Sequence, residues 1–350
     1  MQSSITPKKI VTIGGGTGSF MVLSGLKKYN FNLTAIVSMS DDGGSTGILR
    51  DELGVLPPGD LRQCLVALSD SPDIMRKVFN YRFTNGSLEG HNLGNLLLSA
   101  MEKITGSSQQ GLKEIGTILK IKGKVMPVSL EPSNLKIDLK NGLTLLGEDK
   151  INHNYALDTI GINKISLEPK PTANPEAIQA ILEADVIILG PGNLYCSLLP
   201  NLLVPKISEA IFKSHAKIIY VANLVNKRGH TSNFSLDSYI QCLQKYLNNR
   251  KIDFVISNIQ KPSAALLKKY QKEGDEWLEI KCAQNENLHP RHYPTIVQAN
   301  LLKNTFYKPA AGDRISNTRS LIRHDSDKLA KLINLIVEWA DNPKILKQIL

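Results

Sequence analysis

The sequence predicts an α/β protein built on a mainly parallel sheet, with helices on both faces and a small β-hairpin insertion. Three observations carry this. The first strand, Lys9 to Ile13, empties directly into a glycine cluster, Gly14-Gly15-Gly16-Thr17-Gly18-Ser19, and a helical pattern follows. A second strand ends in Asp41-Asp42-Gly43-Gly44-Ser45. Far along the chain, Asp185-Val-Ile-Ile-Leu189 is almost wholly apolar, as a strand covered on both faces must be, and it too runs into glycines. Polar, flexible turns at the carboxyl ends of strands are where an open α/β sheet holds a phosphate-bearing ligand.

Each element follows from its own pattern. Phe20 to Tyr29 reads as a helix with Met21, Leu23 and Leu26 on its apolar face. Gly54-Val-Leu-Pro-Pro-Gly-Asp60 is a turn, with Asp60 placed to cap the helix that carries Leu61, Leu65 and Leu68. Helical periodicity returns over 72–82, 93–104 and 109–119. At Lys124 the pattern changes to alternation, first in Val125 to Val128 and then in Leu135 to Leu145, where Asn141-Gly142 supplies the dipeptide of a tight hairpin. Lys164 to Leu167 adds another strand. Residues 124–170 thus read as a hairpin insertion or cap within a single domain over 8–340. The α/β rhythm then resumes: helix 175–183, the apolar strand, helix 198–212, strand 217–221, helix 236–247 and strand 252–256. Ser326 to Ala340 is amphipathic, with Leu329, Leu332, Ile333 and Val337 on one side.

Composition excludes several classes. A chain of 350 residues, 42% hydrophobic and 21% charged, is long enough to bury a large core and ordinary for a globular protein. It holds no apolar run of the roughly 18 residues a membrane helix needs, and its first residues lack the core of a secretory signal. The expectation is a cytoplasmic protein with no membrane insertion. Cys64, Cys196, Cys242 and Cys282 form no CxxC pair, which argues against a zinc knuckle or a disulfide framework. A net charge of +10 favours anionic partners. The lysines fall in scattered pairs, with no Arg/Gly tract or aromatic RNA-binding strand, so a small anionic ligand is favoured over nucleic acid.

Two familiar fingerprints fail at the first turn. GxGxxG needs a third glycine where Ser19 stands, and no register supplies the lysine of a P-loop. What remains is a strand, a glycine turn and a helix whose amides, dipole and Thr17 and Ser19 hydroxyls suit a diphosphate; the alternative is a plain turn. In Asp41-Asp42-Gly43-Gly44-Ser45-Thr46-Gly47, one carboxylate can receive a ribose hydroxyl or hold Mg²⁺. Neighbouring side chains on extended backbone diverge, so only one of Asp41 and Asp42 does so; an Asx turn is the bland alternative. Arg50, Asp60 and Arg62 lie close enough in sequence to return to the same rim. Gly90-His91-Asn92-Leu93-Gly94-Asn95 offers amides and two carboxamides, with His91 as acid, base or cap. Gly190-Pro191-Gly192-Asn193-Leu194-Tyr195 is a second cradle in the other half of the sheet. Cys196 beside it has no evident base, and Asn223, Asn226, Lys227 and Arg228 are further anion contacts.

Taken together, Ile13-Gly-Gly-Gly-Thr-Gly18, Ser40-Asp-Asp-Gly-Gly-Ser45, Leu56-Pro-Pro-Gly-Asp-Leu-Arg62, Gly90-His-Asn-Leu-Gly-Asn95 and Gly190-Pro-Gly-Asn-Leu-Tyr195 resemble, in this order, the gluconeogenesis factor (YvcK-like) family. That family lies within the CofD-like superfamily of 2-phospho-L-lactate transferases, and the similarity spans roughly residues 8–340. The resemblance implies a Rossmann-like fold and binding of a UDP-sugar such as UDP-N-acetylglucosamine. It further implies a regulator of cell-wall metabolism and cell shape on gluconeogenic carbon sources, with protein partners and a homodimeric state. Sister transferases move a phospholactyl group with a divalent metal, for which Asp41 or Asp42 would be the ligand here. Two departures stand out: Cys196 replaces a residue that is more often Thr, and Leu224 to Thr231 is looser than the family pattern. On this reading Gly14 to Ser19 receive the diphosphate, while Asn92, Asn95 and the Gly190 to Tyr195 turn close the cleft. A transferase is the alternative, and an NAD-dependent dehydrogenase is disfavoured by Ser19.

Overall fold

The computed structural model describes residues 6–280, 293–303 and 321–340, so Cys282 lies outside the described residues. In chain order its strands are β1 (Lys8–Ile13), β2 (Phe31–Val37), β3 (Lys124–Pro127), β4 (Asn134–Leu139), β5 (Thr144–Leu146), β6 (Ile162–Glu168), β7 (Val186–Leu189), β8 (Lys217–Val221), β9 (Val225–Asn226), β10 (Phe254–Asn258), β11 (Glu276–Trp277) and β12 (Thr295–Ala299). The helices are α1 (Gly16–Leu26), α2 (Gly44–Leu53), α3 (Pro58–Leu68), α4 (Asp73–Asn80), α5 (Leu93–Thr105), α6 (Ser108–Ile118), α7 (Glu148–Asn152), α8 (Leu157–Ile160), α9 (Pro175–Leu182), α10 (Leu199–Leu203), α11 (Ile207–Lys213), α12 (Leu236–Tyr246), α13 (Ala264–Glu273) and α14 (Ser326–Trp339). One π turn, Leu194–Leu198, precedes α10.

Seven strands form a fully parallel sheet in the order β12-β10-β8-β7-β1-β2-β3. Period-two alternation sends their side chains into two cores. Val11, Ile13, Ile187, Leu189, Ile218 and Tyr220 face the layer of α9 to α12. Ile10, Val186, Ile188, Ile219 and Val221 face α1, α3 and α14. Both faces are covered, which is why β7 is apolar at every position. Among the described residues no helix is long and apolar enough to cross a membrane.

The chain winds outward from β1 to β2 and β3, then returns to β7 on the other side of β1 and winds away through β8, β10 and β12. The strand order therefore reverses between β1 and β7, and the crevice of such a sheet opens above that point.

Several boundaries differ from the sequence expectation. β2 ends at Val37 rather than at Asp41, and α2 occupies residues read as loop. That helix buries only Thr46, Gly47 and Leu49, so it carries no apolar stripe to betray it. The stretch 198–212 is two helices, because Pro205 cannot continue the first and Lys206 turns the chain at φ +69°. Val125 to Pro127 joins the main sheet beside β2, and the antiparallel strands begin at Asn134. They form a separate sheet, β5-β4-β6, whose Leu135, Ile137 and Leu139 pack into the first core. Its turn is a longer loop than the tight Asn-Gly hairpin expected, since Gly142 at φ +86° is left-handed while Asn141 is not.

Candidate functional site

The two glycine turns meet at the switch point. The Gly190 N–H donates to the carbonyl of Ile13 at 3.0 Å, and a Cβ on Gly18 would fall 1.5 Å from the Pro191 carbonyl oxygen. Only glycine lets the first turn of α1 approach this close. Gly16 sits at φ +63° in the left-handed region, which glycine adopts freely. Between the turns, the Ser19 hydroxyl is buried and has no hydrogen-bond partner among the described residues. The N-cap of α1 is Gly15, which provides no side-chain cap, and the first turn of α1 holds no acidic residue. Its amino end presents N–H groups and a positive dipole to the crevice.

Asp60 comes from α3 to meet it. It lies in the first turn of that helix, whose N-cap is Pro57, so it does not cap its own helix as the sequence suggested. It accepts instead from the Gly16 N–H, and a Cβ on Gly15 would fall 1.9 Å from its carboxylate. Asp41 accepts from the Gly43 N–H at 3.0 Å and from the Thr46 hydroxyl, and packs against Gly59. The amino ends of α1, α2 and α3 thus gather around two carboxylates. Burial, followed by the neighbouring Asp41, pushes Asp60 up to about 7. Burial and, more weakly, Asp42 push Asp41 up to about 6.

Asp42 points away, as the divergence of adjacent side chains requires: it accepts from the Asp149 N–H at 2.8 Å and lies against Gly147. This contact ties the antiparallel sheet to the rim and brings in Glu148 of α7. Burial, then Asp41, Asp60 and Asp42, raise Glu148 well above the ordinary carboxyl value. Opposite it, Lys227 donates to the carbonyl of Asn152 at 2.9 Å and is lowered mainly by burial. Cys196 is buried and its thiol is raised, first by burial and then by Glu148, so it is held as an inert thiol.

Other sequence candidates serve the frame. Arg62 is 4% exposed and points inward, donating to Asn95 at 2.8 Å, Asn80 at 2.7 Å and the Phe79 carbonyl at 3.2 Å. Asn95 is its acceptor, and Asn92 caps α5 through the Asn95 N–H at 3.2 Å; both carboxamides are buried. In the structure these three form a buried polar brace joining α3, α4 and α5. His91 lies in the turn before α5, where its backbone bonds Phe83 and Leu88. Arg50 reaches Asn134 at 3.0 Å on the antiparallel sheet. Asn193 caps the π turn, accepting from the Tyr195 and Cys196 N–H groups, while Leu194 and Tyr195 are buried in the core. Asn223 latches the second glycine turn, donating to the Gly192 carbonyl at 2.8 Å. Ser45 lies in the first turn of α2.

Glu148 and Asn152 were not foreseen. Neither sits in a glycine turn, and only the antiparallel sheet, reaching back over the main one, delivers them. Among the described residues no three His, Cys, Asp or Glu side chains are grouped so as to hold a metal ion by themselves.

The family sequence model described as 2-phospho-L-lactate transferase CofD matches residues 10–299. This chain belongs to that family. It is 40% identical over 332 residues to the Thermotoga maritima protein named "Putative gluconeogenesis factor", covering 95% of this chain and 100% of the other. It is 36% identical over 328 residues to the gluconeogenesis factor of Halalkalibacterium halodurans, covering 93% and 95%. A crystal structure of a UPF0052 family member from Bacillus halodurans superposes with a TM-score of 0.83 at 34% identity, covering 95% of this chain and 100% of that one. Membership in the family and the Rossmann-like fold agree with the five motifs.

Proposed function

We propose that this protein binds a nucleoside diphosphate sugar of the UDP-N-acetylglucosamine type in the crevice between β1 and β7, and acts as a regulator. The observation that carries the reading is the close approach of the two glycine turns over an α1 amino end whose N-cap residue, Gly15, brings no side-chain cap and where Asp60 engages the Gly16 N–H. Gly14 to Ser19 would receive the diphosphate, with the Ser19 hydroxyl gaining a partner. The Gly190 to Asn193 turn, latched by Asn223, forms the facing wall. Thr17 and the Gly43-Gly44-Ser45 turn would border the same opening.

A divalent cation suits the donor set. Two buried carboxylates, of which Asp41 raises Asp60, beside a diphosphate cradle favour a hard cation that keeps part of its water. Asp41 and Asp60 would hold Mg²⁺, since Asp42 is engaged with the Asp149 N–H. The ion would supply charge neutralisation to the diphosphate. The ligand-loaded protein would then be presented to partner proteins in the cytoplasm, as a homodimer, in control of cell-wall metabolism and cell shape on gluconeogenic carbon.

The description of the family sequence model supports a second reading, a metal-dependent transferase of the 2-phospho-L-lactate type. Calorimetric titration with UDP-N-acetylglucosamine, GDP and NAD, with and without Mg²⁺, separates them when products are followed by mass spectrometry. Selective UDP-sugar binding without turnover supports the regulator. A preference for GDP, or consumption of a lactyl nucleotide in the presence of a flavin acceptor, supports the transferase. Preferential NAD binding overturns both.

A further inference from the structure

A second concavity lies away from the crevice, where the carboxyl end of α1 meets α3, α4 and the start of α14. It encloses about 500 Å³, within the size of small-molecule sites. Lys27, Lys28, Arg76 and Lys303 converge on it from three separate parts of the chain, against the carboxylates of Asp325 and Asp327.

Both acids are engaged. Asp325 caps α14, accepting from the Asp327 and Lys328 N–H groups at 3.0 and 3.1 Å. Asp327 pairs with Lys28 at 2.5 Å. Lys27 donates to the Ser69 carbonyl at 2.5 Å, and its ammonium is held below its ordinary value, first by burial and then by Arg76. Lys303 takes part in no salt bridge among the described residues. The negative end of the α1 dipole accounts for cations at Lys27 and Lys28, and Arg76 pairs with Asp73 one turn earlier on α4, but neither accounts for Lys303 beyond β12. Even with Lys28 and Arg76 each paired to an aspartate, the Arg76 charge still depresses Lys27, and a further anion between them would relieve that repulsion. Phe20 and Val66 give the floor an apolar surface that can carry the body of a small molecule, and Asn80 adds a carboxamide at the edge.

We propose that this groove is a second binding site, distinct from the crevice, for a small phosphate-bearing metabolite whose phosphate sits between Lys27, Arg76 and Lys303. Arg76 supplies a forked donor suited to two phosphate oxygens, while the lysines act as point charges.

Calorimetric titration of the full chain with glucose 6-phosphate, glucose and inorganic phosphate tests this. We expect the sugar phosphate to saturate, with glucose silent and inorganic phosphate weaker. The double variant Arg76→Glu with Lys303→Glu should weaken the sugar phosphate by about tenfold or more, and the milder Arg76→Gln should weaken it in the same direction. Circular dichroism confirms that each variant is folded. UDP-N-acetylglucosamine titrated in parallel should be unaffected by either substitution, and its failure to bind wild type would count against the crevice reading alone. Absence of saturation up to about 10 mM overturns the site, as does an affinity the substitutions leave unchanged. Inorganic phosphate binding as tightly as the sugar phosphate shows an adventitious ion only, and overturns it too.

Discussion

Asp60→Asn should stabilise the ligand-free protein while weakening its ligand. In the folded chain Asp60 is lifted from 3.8 to about 7, first by burial and then by Asp41. At 1.36 kcal/mol per pH unit, keeping it ionised costs the native state about 4 kcal/mol as a ceiling. Its carboxylate retains some contact with solvent, so about 2 kcal/mol is the expected value. The sign follows from proton binding. The folded state holds the proton more tightly than the unfolded chain, so this contribution is fully present below pH 3.8 and drains as pH rises to about 7. The asparagine carboxamide can still accept from the Gly16 N–H but has no charge to desolvate. Urea unfolding at pH 8 should therefore show the variant more stable by about 2 kcal/mol, with roughly two-fifths of that gain at pH 5. UDP-N-acetylglucosamine binding in the presence of Mg²⁺ should weaken in the same variant. A variant less stable than wild type at both pH values, or a gain equal at pH 5 and pH 8, would refute the reasoning.

Gly18→Ala places a methyl 1.5 Å from the Pro191 carbonyl oxygen, so the two turns must separate, at a cost of about 3 kcal/mol. Urea unfolding and ligand titration should both register it; wild-type values in both would remove the close approach from the argument. Arg62→Leu breaks the buried brace and leaves Asn80 and Asn95 without their donor, which should lower stability by about 3 kcal/mol. Ligand affinity of the folded fraction should hold; lost affinity at wild-type stability would return Arg62 to the rim of the crevice.

The sequence alone determined the alternation of strands and helices, and the two places where glycine turns leave apolar strands. It did so because a buried parallel strand needs side chains apolar on both faces, and because a turn pressed against another backbone needs residues without a Cβ. Those are local requirements, written in consecutive residues. Gly14 to Ser19 and Gly190 to Asn193 were legible for this reason, and so was the divergence of Asp41 and Asp42. The roles of Arg62, Asn92 and Asn95 were not, since a polar residue near a glycine motif reads the same whether it faces a ligand or a buried neighbour. Asp60 was read as a cap for its own helix, because its true acceptor duty is to Gly16, far away in sequence. Glu148 reaches the site only because the antiparallel sheet packs back over the main one. That the two glycine turns face each other at all was decided by the sheet order, which places β7 beside β1 although 172 residues lie between Ile13 and Val186. Hydrogen bonding between strands and burial of both sheet faces fix that order, and neither is a property of any short stretch of chain.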